Sequence, residues 1–545
     1  MKTNRVIKIF LASSEELEAD RYRFGNLIRK LDNIYEKRGI RIELFEWEDY
    51  DAAYNGIRKQ DEYNERVRAS DMFLALFHKK AGKFTIEEFN IARKAFDEQA
   101  SPKIYTYIKD LEAGESESRE LAEFKRLMLE ELGHYWCRYS NFDTMQLHFV
   151  LQLQMVEATT PIKVEVKESQ VKIGDSTIAD LNNVPFTSEN ATYKELQSRK
   201  EQLDREIGNA ESGGRRGFFG QRSRTTDEEL ANLREERESV TEQIERQEKA
   251  LVDTAMSIAR MQGGECSPRM RTAAELFEKG EIGKAEAVLK EDDMEADATN
   301  AKLKFDTAAQ PTAELTRNIE RCAGEYMLKA RIVVSGIADE SRYRQAVKLM
   351  STAIDLVSGR LPEETLAEYL FDYAVLLTDT GQQTKALETW ERLSGIYERL
   401  YRKAPQKYAY GYAGVLNNMA VLYSDKGDFD HCLSKYLKAI DIYDWLDREE
   451  PGIYDDDIAR LKNNLGTLYS DRDEYNKALS EFNEAARIRF ELLAKDNDPD
   501  SRSALADIYC NMATALQFSD HSQEALRYIA QAHAILDELD KEFPR

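Results

Sequence analysis

Two adjacent glutamates, Glu87 and Glu88, are the residues of this chain best placed to do chemistry. They follow an apolar run from Met72 to Phe77, which predicts a buried strand, and a short polar loop that contains Gly82. Ligands of open α/β sheets bind outside the carboxyl ends of the strands, so the sequence places one of these carboxylates at such a site. The dipole of the following helix also favours a carboxylate in its first turn, which leaves a purely structural role open.

The segment around these glutamates alternates strands and helices over residues 1–158. Apolar runs predict five strands, at residues 6–12, 40–45, 72–77, 104–108 and 134–139. Helical patterns fall between and after them, at residues 13–37, 53–69, 84–99, 118–132 and 143–157. This alternation predicts a parallel, doubly wound sheet.

Composition restricts the class of protein. The chain has 545 residues, which suggests roughly three to four domains. Its net charge of −24 argues against broad nucleic-acid binding, which needs a basic surface. The sequence has no apolar stretch of transmembrane length and no signal peptide, and its five cysteines are far apart. These features predict a cytoplasmic protein with no membrane segment and no disulfide framework. Neither metal-ligand spacing nor a Walker-type phosphate loop occurs in the sequence.

Residues 159–263 are predicted to connect two larger regions. Alternating apolar and polar residues predict a small β-hairpin within residues 159–190. Two charged segments with apolar stripes then predict a coiled-coil-like helical hairpin over residues 191–263. Its loop, residues 213–224, carries four arginines and two phenylalanines but no acidic residue. This loop is either a mobile hairpin tip or a docking loop for an acidic partner or a neighbouring copy.

The last half of the chain repeats with a period near 46 residues. One set of small residues recurs at Ala374, Ala420, Gly466 and Ala513, and a second set lies twelve residues after each, at Ala386, Cys432, Ala478 and Ala525. Small side chains at these positions let paired helices approach closely. The pattern resembles the tetratricopeptide repeat with longer helices. It predicts about six repeats over residues 264–545, forming an all-α solenoid with a concave protein-binding face.

Residues 1–158 resemble a second known family. The first strand ends in the phrase Ile9-Phe10-Leu11-Ala12-Ser13-Ser14. The second strand is followed by Trp47-Glu48-Asp49, and the third begins after Ser70-Asp71. In this order and spacing, the phrases are similar to those of divergent bacterial TIR domains, which have a flavodoxin-like fold. By position, Glu88 is similar to the essential glutamate of the enzymatic members. Phe84 lies where the family often has an aromatic residue.

In enzymatic TIR domains, this glutamate serves the cleavage of NAD+ between nicotinamide and ribose. The resemblance therefore implies that NAD+ is a substrate, that no cofactor is needed, and that Glu88 is catalytic. A carboxylate can stabilise the oxocarbenium-like ribose that forms when nicotinamide leaves. Glu87 could carry this role instead of its neighbour.

The same resemblance implies binding roles for four residues. Ser13 and Ser14 could bond to ribose or phosphate, Trp47 could stack on the nicotinamide or adenine ring, and Phe84 joins them as an aromatic site residue. Structural roles stay open beside these: Ser13 could be a helix N-cap, and Trp47 could pack in the core. His78, which follows the third strand, is predicted to be a loop residue and not a general base.

The combination of a TIR-like domain with a repeat array resembles bacterial antiphage or stress effectors. It implies that a protein trigger binds the concave face of the repeats and brings the TIR-like domains together in a homo-oligomer. Cleavage of NAD+ would then stop the growth of an infected cell. Two alternatives stay open. One is a non-enzymatic scaffold for signalling assembly, and the other is an enzyme related to nucleoside deoxyribosyltransferases.

Overall fold

The computed structural model describes residues 5–36, 39–45, 59–112, 114–131, 136–156, 164–173, 176–213, 227–261, 266–336, 339–449, 451–495 and 499–542. By its packing, the chain divides into two compact units. The first comprises Met1–Glu157, Ile162–Asp297 and Leu328–Ala346, and the second comprises Ala158–Pro161, Ala298–Met327 and Val347–Arg545. None of the described helices is long and apolar enough to cross a membrane.

A five-stranded parallel sheet forms the amino-terminal part of the first unit. Its strands are β1 (Arg5–Ser13), β2 (Ile40–Phe45), β3 (Met72–Phe77), β4 (Lys103–Lys109) and β5 (Trp136–Tyr139). They lie in the order β2-β1-β3-β4-β5, and every neighbouring pair is parallel. The predicted bounds of β2 and β3 are confirmed, while β1 and β4 extend one residue further at each end. From β1 the chain adds β2 on one side and then β3, β4 and β5 on the other, so the strand order changes direction between β1 and β3. This position is the topological switch point of a doubly wound sheet.

Helices cover both faces of this sheet. They are α1 (Glu18–Glu36), α2 (Lys59–Arg68), α3 (Lys83–Gln99), α4 (Arg119–Arg126, continued by a π-helical turn at Leu127–Glu131) and α5 (Phe142–Val156). Strand β3 contributes to two separate cores. Met72, Leu74 and Leu76 pack with residues of α1 and α5, and Phe73, Ala75 and Phe77 pack with residues of α2, α3 and α4. Burial on both faces explains why the sequence of β3 is a continuous apolar run.

The predicted β-hairpin is a three-stranded antiparallel sheet, which corrects the sequence prediction. Its strands are β6 (Glu165–Lys167), β7 (Gln170–Ile173) and β8 (Ser176–Asp180), in that order. The prediction lacks β8 because Ser176–Asp180 has only one large apolar side chain, Ile178. Ile173 and Ile178 are each 1% exposed and join the core beside α1 and α5. Packing against this core therefore stabilises a strand with a weak local pattern.

The predicted helical hairpin is present in the first unit. A short helix α6 (Pro185–Ser188) precedes α7 (Ala191–Gly213) and α8 (Asp227–Met261). The predicted apolar stripes meet between the two long helices, where the buried side chains are Tyr193, Leu203, Val240 and Ile244. Residues 214–224 of the predicted basic loop lie outside the described residues, and its docking role stays a prediction.

Thirteen more helices follow in the described residues. They are α9 (Pro268–Glu278), α10 (Ile282–Val288), α11 (Glu291–Thr307), α12 (Ala313–Val334), α13 (Glu340–Val357), α14 (Glu363–Asp379), α15 (Gln383–Lys403), α16 (Pro405–Asp425), α17 (Phe429–Glu449), α18 (Asp455–Asp471), α19 (Tyr475–Lys495), α20 (Pro499–Phe518) and α21 (Ser522–Glu542). From α14 onward the helices of the second unit pack in successive pairs, α14 with α15, α16 with α17, α18 with α19, and α20 with α21. The chain therefore combines a parallel α/β sheet with a helical repeat array.

The predicted register of the repeats is confirmed by the burial of their small residues. The first set lies in α14, α16, α18 and α20, the second set lies in α15, α17, α19 and α21, and all eight residues are buried. Gly466 shows why these positions are small. A Cβ atom built there would lie 2.5 Å from a ring carbon of Phe482, in the paired helix α19. The two helices are therefore too close for a larger side chain.

Candidate functional site at the carboxyl edge of the sheet

The carboxyl ends of β1 and β3 lie side by side, with Ser13 paired to Leu76 in the sheet register. The two segments that follow these ends carry most of the predicted site residues. Ser14 comes directly after β1, and His78 comes directly after β3 in the loop that leads to α3. This edge is also the switch point, where open α/β sheets bind their ligands. Trp47 lies outside the described residues.

Glu88 is the most deeply buried of the predicted site carboxylates, with 7% of its surface exposed. Helix α3 begins at Lys83 after an N-cap at Gly82, so Glu88 is its sixth residue and lies in the second turn. The prediction that the acidic residues occupy the first turn is wrong, because the helix starts earlier than the sequence pattern indicates. The helix dipole acts within the first turn, so it explains little of a carboxylate at this position. A charged group at such depth is costly to bury and needs a specific reason.

The neighbouring Glu87 has different surroundings. It is half-buried, and its Oε1 atom accepts a hydrogen bond of 3.4 Å from Nδ2 of Asn64, a buried residue of α2. Consecutive residues of a helix do not share a face, so the two glutamates serve different surfaces. The structure therefore gives different surroundings to Glu88, the predicted catalytic residue, and to Glu87, its alternative. Phe84, one turn earlier, is 57% exposed and offers its ring to solvent.

Arg21 of α1 joins the two predicted serines. Its Nη1 atom donates hydrogen bonds of 2.9 Å to the hydroxyl oxygen of Ser13 and 2.9 Å to the backbone oxygen of Ser14. Arg21 is 2% exposed and Ser14 is 6% exposed, while Ser13 is half-buried. A buried guanidinium therefore lies at the end of β1. In the sequence, Arg21 belongs to the charged segment that follows the Ser13-Ser14 phrase, but its contact with the serines depends on the fold.

A glutamate links the loops that follow β1 and β3. The Ser14 hydroxyl donates a hydrogen bond of 3.3 Å to Oε1 of Glu16. The same oxygen accepts bonds from the backbone nitrogens of Lys79, at 3.0 Å, and Lys80, at 3.4 Å. These bonds hold the two loops together across the switch point, so residues on both can act on one ligand.

Two ionic groups complete this edge. Oδ2 of the buried Asp20 lies 2.9 Å from Nζ of Lys109 and accepts a hydrogen bond of 3.0 Å from the Tyr139 hydroxyl. Burial, followed by the charge of Asp20, raises the pKa of Tyr139 well above its usual range, so the phenol stays protonated and donates. This group ties the ends of β4 and β5 to α1.

The second ionic group lies in the loops after β3 and β4. Nε2 of His78 lies 3.2 Å from Oε2 of Glu115, and Lys79 forms an ion pair with the same carboxylate. The hydrogen bond from Lys79 lowers the pKa of Glu115. His78 is a loop residue, as predicted. The described residues contain no group of three side chains suited to hold a metal ion.

Comparisons with known proteins give no family. No protein-family model matches the chain, and no curated protein matches it. Among solved structures, BtubC (BKLC) from P. vanneervenii is 19% identical, with a TM-score of 0.35, and the match covers 45% of this chain and 92% of that chain. The apo form of RapI is 16% identical, with a TM-score of 0.37, over 63% of this chain and 77% of that chain. A STAND protein with a tetratricopeptide repeat sensor from Pyrococcus horikoshii is 11% identical, with a TM-score of 0.31. That match covers 99% of this chain and 96% of that chain. Likenesses at these scores carry no argument about function.

Proposed function

We propose that the amino-terminal α/β region cleaves NAD+ between nicotinamide and ribose, with Glu88 as the catalytic carboxylate. The observation that supports this most is the burial of Glu88 in the second turn of α3, the helix that follows strand β3. Buried charged groups of this kind cluster at functional sites, because a stable core has little use for them. NAD+ is the substrate in this proposal, and no cofactor takes part.

The chemistry explains why a buried carboxylate would serve. Departure of nicotinamide leaves positive charge on the ribose, and a carboxylate nearby lowers the energy of that state. The low dielectric of a buried position strengthens this attraction. Ser13 and Ser14 would bind ribose or phosphate oxygens, and the buried cation of Arg21 beside them favours an anionic diphosphate. The exposed ring of Phe84 provides a stacking surface, and Trp47 is proposed as a second one.

The repeat array would control this activity. Helical repeat arrays bury small residues between their helices and leave a surface for protein binding. A protein trigger on the concave face would bring α/β regions together, and the resulting oligomer would deplete NAD+ in the cytoplasm of an infected or stressed bacterial cell. This part of the proposal rests on the resemblance of the combined sequence features to antiphage effectors.

The test follows NAD+ and free nicotinamide with the purified full-length chain, with and without forced clustering through a dimerising tag. Glu88→Gln keeps the size of the side chain and removes its charge. We expect it to lower the rate of nicotinamide release at least about a hundredfold, a common effect of losing one electrostatic catalytic group. Glu87→Gln is the matched control, and we expect it to keep more than half of the rate because Glu87 bonds to Asn64 instead.

Other outcomes distinguish the alternatives. Loss of activity in Glu87→Gln, with full activity in Glu88→Gln, would move the catalytic role to Glu87. No nicotinamide release under any state of assembly would favour the non-enzymatic scaffold. Exchange of the base on a deoxynucleoside, without NAD+ cleavage, would favour the deoxyribosyltransferase-like enzyme.

A further inference from the structure

Cys137, His148 and Tyr107 form a cluster that takes no part in the proposed NAD+ site. Cys137 lies in β5, the last strand of the parallel sheet, and His148 contacts it from α5. The Sγ atom of the cysteine lies 2.9 Å from Nε2 of His148, and Nδ1 of the same ring lies 3.0 Å from the hydroxyl oxygen of Tyr107. A thiol within hydrogen-bond distance of an imidazole is the arrangement that activates nucleophilic cysteines.

The surroundings of the imidazole suit its charged form. Burial, followed by the charge of Cys137, raises the pKa of Tyr107 well above its usual range, so the phenol stays neutral and its oxygen can accept a bond from Nδ1–H. The sulfur lies where it can accept a bond from Nε2–H. Both nitrogens of a protonated imidazole are donors, so each has an acceptor here. Transfer of the thiol proton to His148 leaves a thiolate beside an imidazolium, with no net charge added to the core.

Burial limits which reagents can reach the sulfur. Cys137 is 8% exposed, and His148 beside it is half-buried. Apolar surroundings alone disfavour a thiolate, whereas a neighbouring imidazolium favours one. Hydrogen peroxide is small and uncharged, so it suits this narrow exposure, and bulky electrophiles do not.

We propose that Cys137 is a modification site for hydrogen peroxide, with His148 as the proton donor of the reaction. The thiolate sulfur attacks one oxygen of the peroxide, so an S–O bond forms and the O–O bond breaks. The departing hydroxide takes the proton from Nε2 of His148 and leaves as water. The sulfur is oxidised to a sulfenic acid while the peroxide is reduced, and the imidazole ends neutral. No residue of the proposed NAD+ site takes part, so this site is independent of that proposal.

Two other cysteines of the chain provide internal controls. Cys510 is exposed on α20, whereas Cys432 is buried on α17, and burial raises the pKa of its thiol to about 12. The purified full-length chain is treated with hydrogen peroxide at neutral pH, catalase removes the excess, and dimedone added in urea labels the sulfenic acids for peptide mass spectrometry. Cys137 should react at least about tenfold faster than Cys432 or Cys510. Polyethylene glycol maleimide, which is too bulky for Cys137, should instead label Cys510 first.

Replacement of His148 tests its role in the reaction. His148→Asn keeps a polar side chain beside the sulfur but removes the group that holds the proton, so it should lower the rate of Cys137 oxidation at least about tenfold. His533→Asn, at an exposed position of α21, is the matched control and should leave the rate unchanged. Thermal unfolding monitored by circular dichroism shows whether both variants fold. A folded His148→Asn variant that reacts as fast as the unaltered chain would overturn the proposal.

The pH dependence of the unaltered chain is a second test, which needs no variant. The titratable groups that the structure records around the sulfur are His148 of α5 and Tyr105 and Tyr107 of β4, and burial keeps both phenols neutral. Paired with the imidazolium, Cys137 should react at rates that stay within about threefold between about pH 8 and pH 6. In the chain unfolded by urea, the same cysteine should slow about tenfold per pH unit below the usual thiol pKa of about 8.5. An equally steep fall in the folded chain, or a Cys137 that reacts no faster than Cys510, would overturn the proposal.

Discussion

Replacing Gly466 by alanine tests the packing of the repeats, because helix propensity and packing predict opposite effects on stability. Alanine is favoured over glycine in a helix by about 1 kcal/mol. In α18, however, the new Cβ atom would lie 2.5, 2.6 and 3.0 Å from three ring carbons of Phe482. That ring is 1% exposed and packs against Ile508 and Met512 of α20, so it has no free space to enter. Overpacking of this kind costs about 1–3 kcal/mol, which exceeds or cancels the gain in propensity.

Gly414→Ala provides the matched comparison. Gly414 is also inside a helix, α16, and a Cβ atom built there meets no atom within 4 Å. Alanine should therefore stabilise α16 by about 1 kcal/mol. The two substitutions share the same change in propensity, so their difference of about 1–3 kcal/mol isolates the steric contact between α18 and α19.

Hydrogen exchange of the intact chain, followed by mass spectrometry, measures both effects locally. This readout suits a repeat array because its stability is close to a sum of repeat and interface terms. Relative to the unaltered chain, Gly414→Ala should slow exchange in peptides from α16. Gly466→Ala should show no slowing, or faster exchange by up to about thirtyfold, in peptides from α18 and α19. The argument is refuted if Gly466→Ala slows exchange as much as Gly414→Ala does.

Two further predictions concern the α/β region. Asp20→Asn should lower the free energy of unfolding by about 2 kcal/mol, because it removes a buried charge that binds Lys109 and the Tyr139 hydroxyl. Glu123→Gln, in an exposed ion pair with Arg119, should change this free energy by less than about 0.5 kcal/mol. Urea titrations measure both values, and an equal loss of stability in the two variants would contradict the reasoning. Burial, followed by the charge of Cys137, raises the pKa of Tyr105 from 10.0 to about 12, so its contribution to stability is complete below pH 10 and is lost as the pH rises towards 12. Tyr105→Phe should therefore lose less stability over this interval than the unaltered chain, as measured by chemical denaturation at each pH, and an unchanged alkaline loss would show that Tyr105 is not responsible.

Much of the fold follows from local patterns in the sequence. A strand buried on both faces must be apolar throughout, which is why the bounds of β3 are predictable from Met72–Phe77 alone. The repeat register is predictable for a similar reason. Close approach of two helices excludes large side chains, so Gly466 and its equivalents form a period that needs no three-dimensional information.

The sequence also limits the candidate site without deciding it. It places Ser13, Ser14 and the glutamate pair at the carboxyl edge of a sheet, because the alternation of strands and helices determines which loops lie there. The resemblance assigns the catalytic role to Glu88 by position, and Glu87 stays open as an alternative. Their difference in burial arises from the sheet and from α2, which are distant in sequence.

Tertiary structure alone decides the contacts that join distant segments. Arg21 reaches the serines only because α1 packs back over β1, and Glu16 joins Lys79 only because β1 and β3 are neighbours in the sheet. The third strand β8 has the same origin, because its weak local pattern is stabilised by packing against the core beside α1 and α5. Local periodicity determines which side chains share one face of a helix or strand, whereas long-range packing determines which other residues that face contacts.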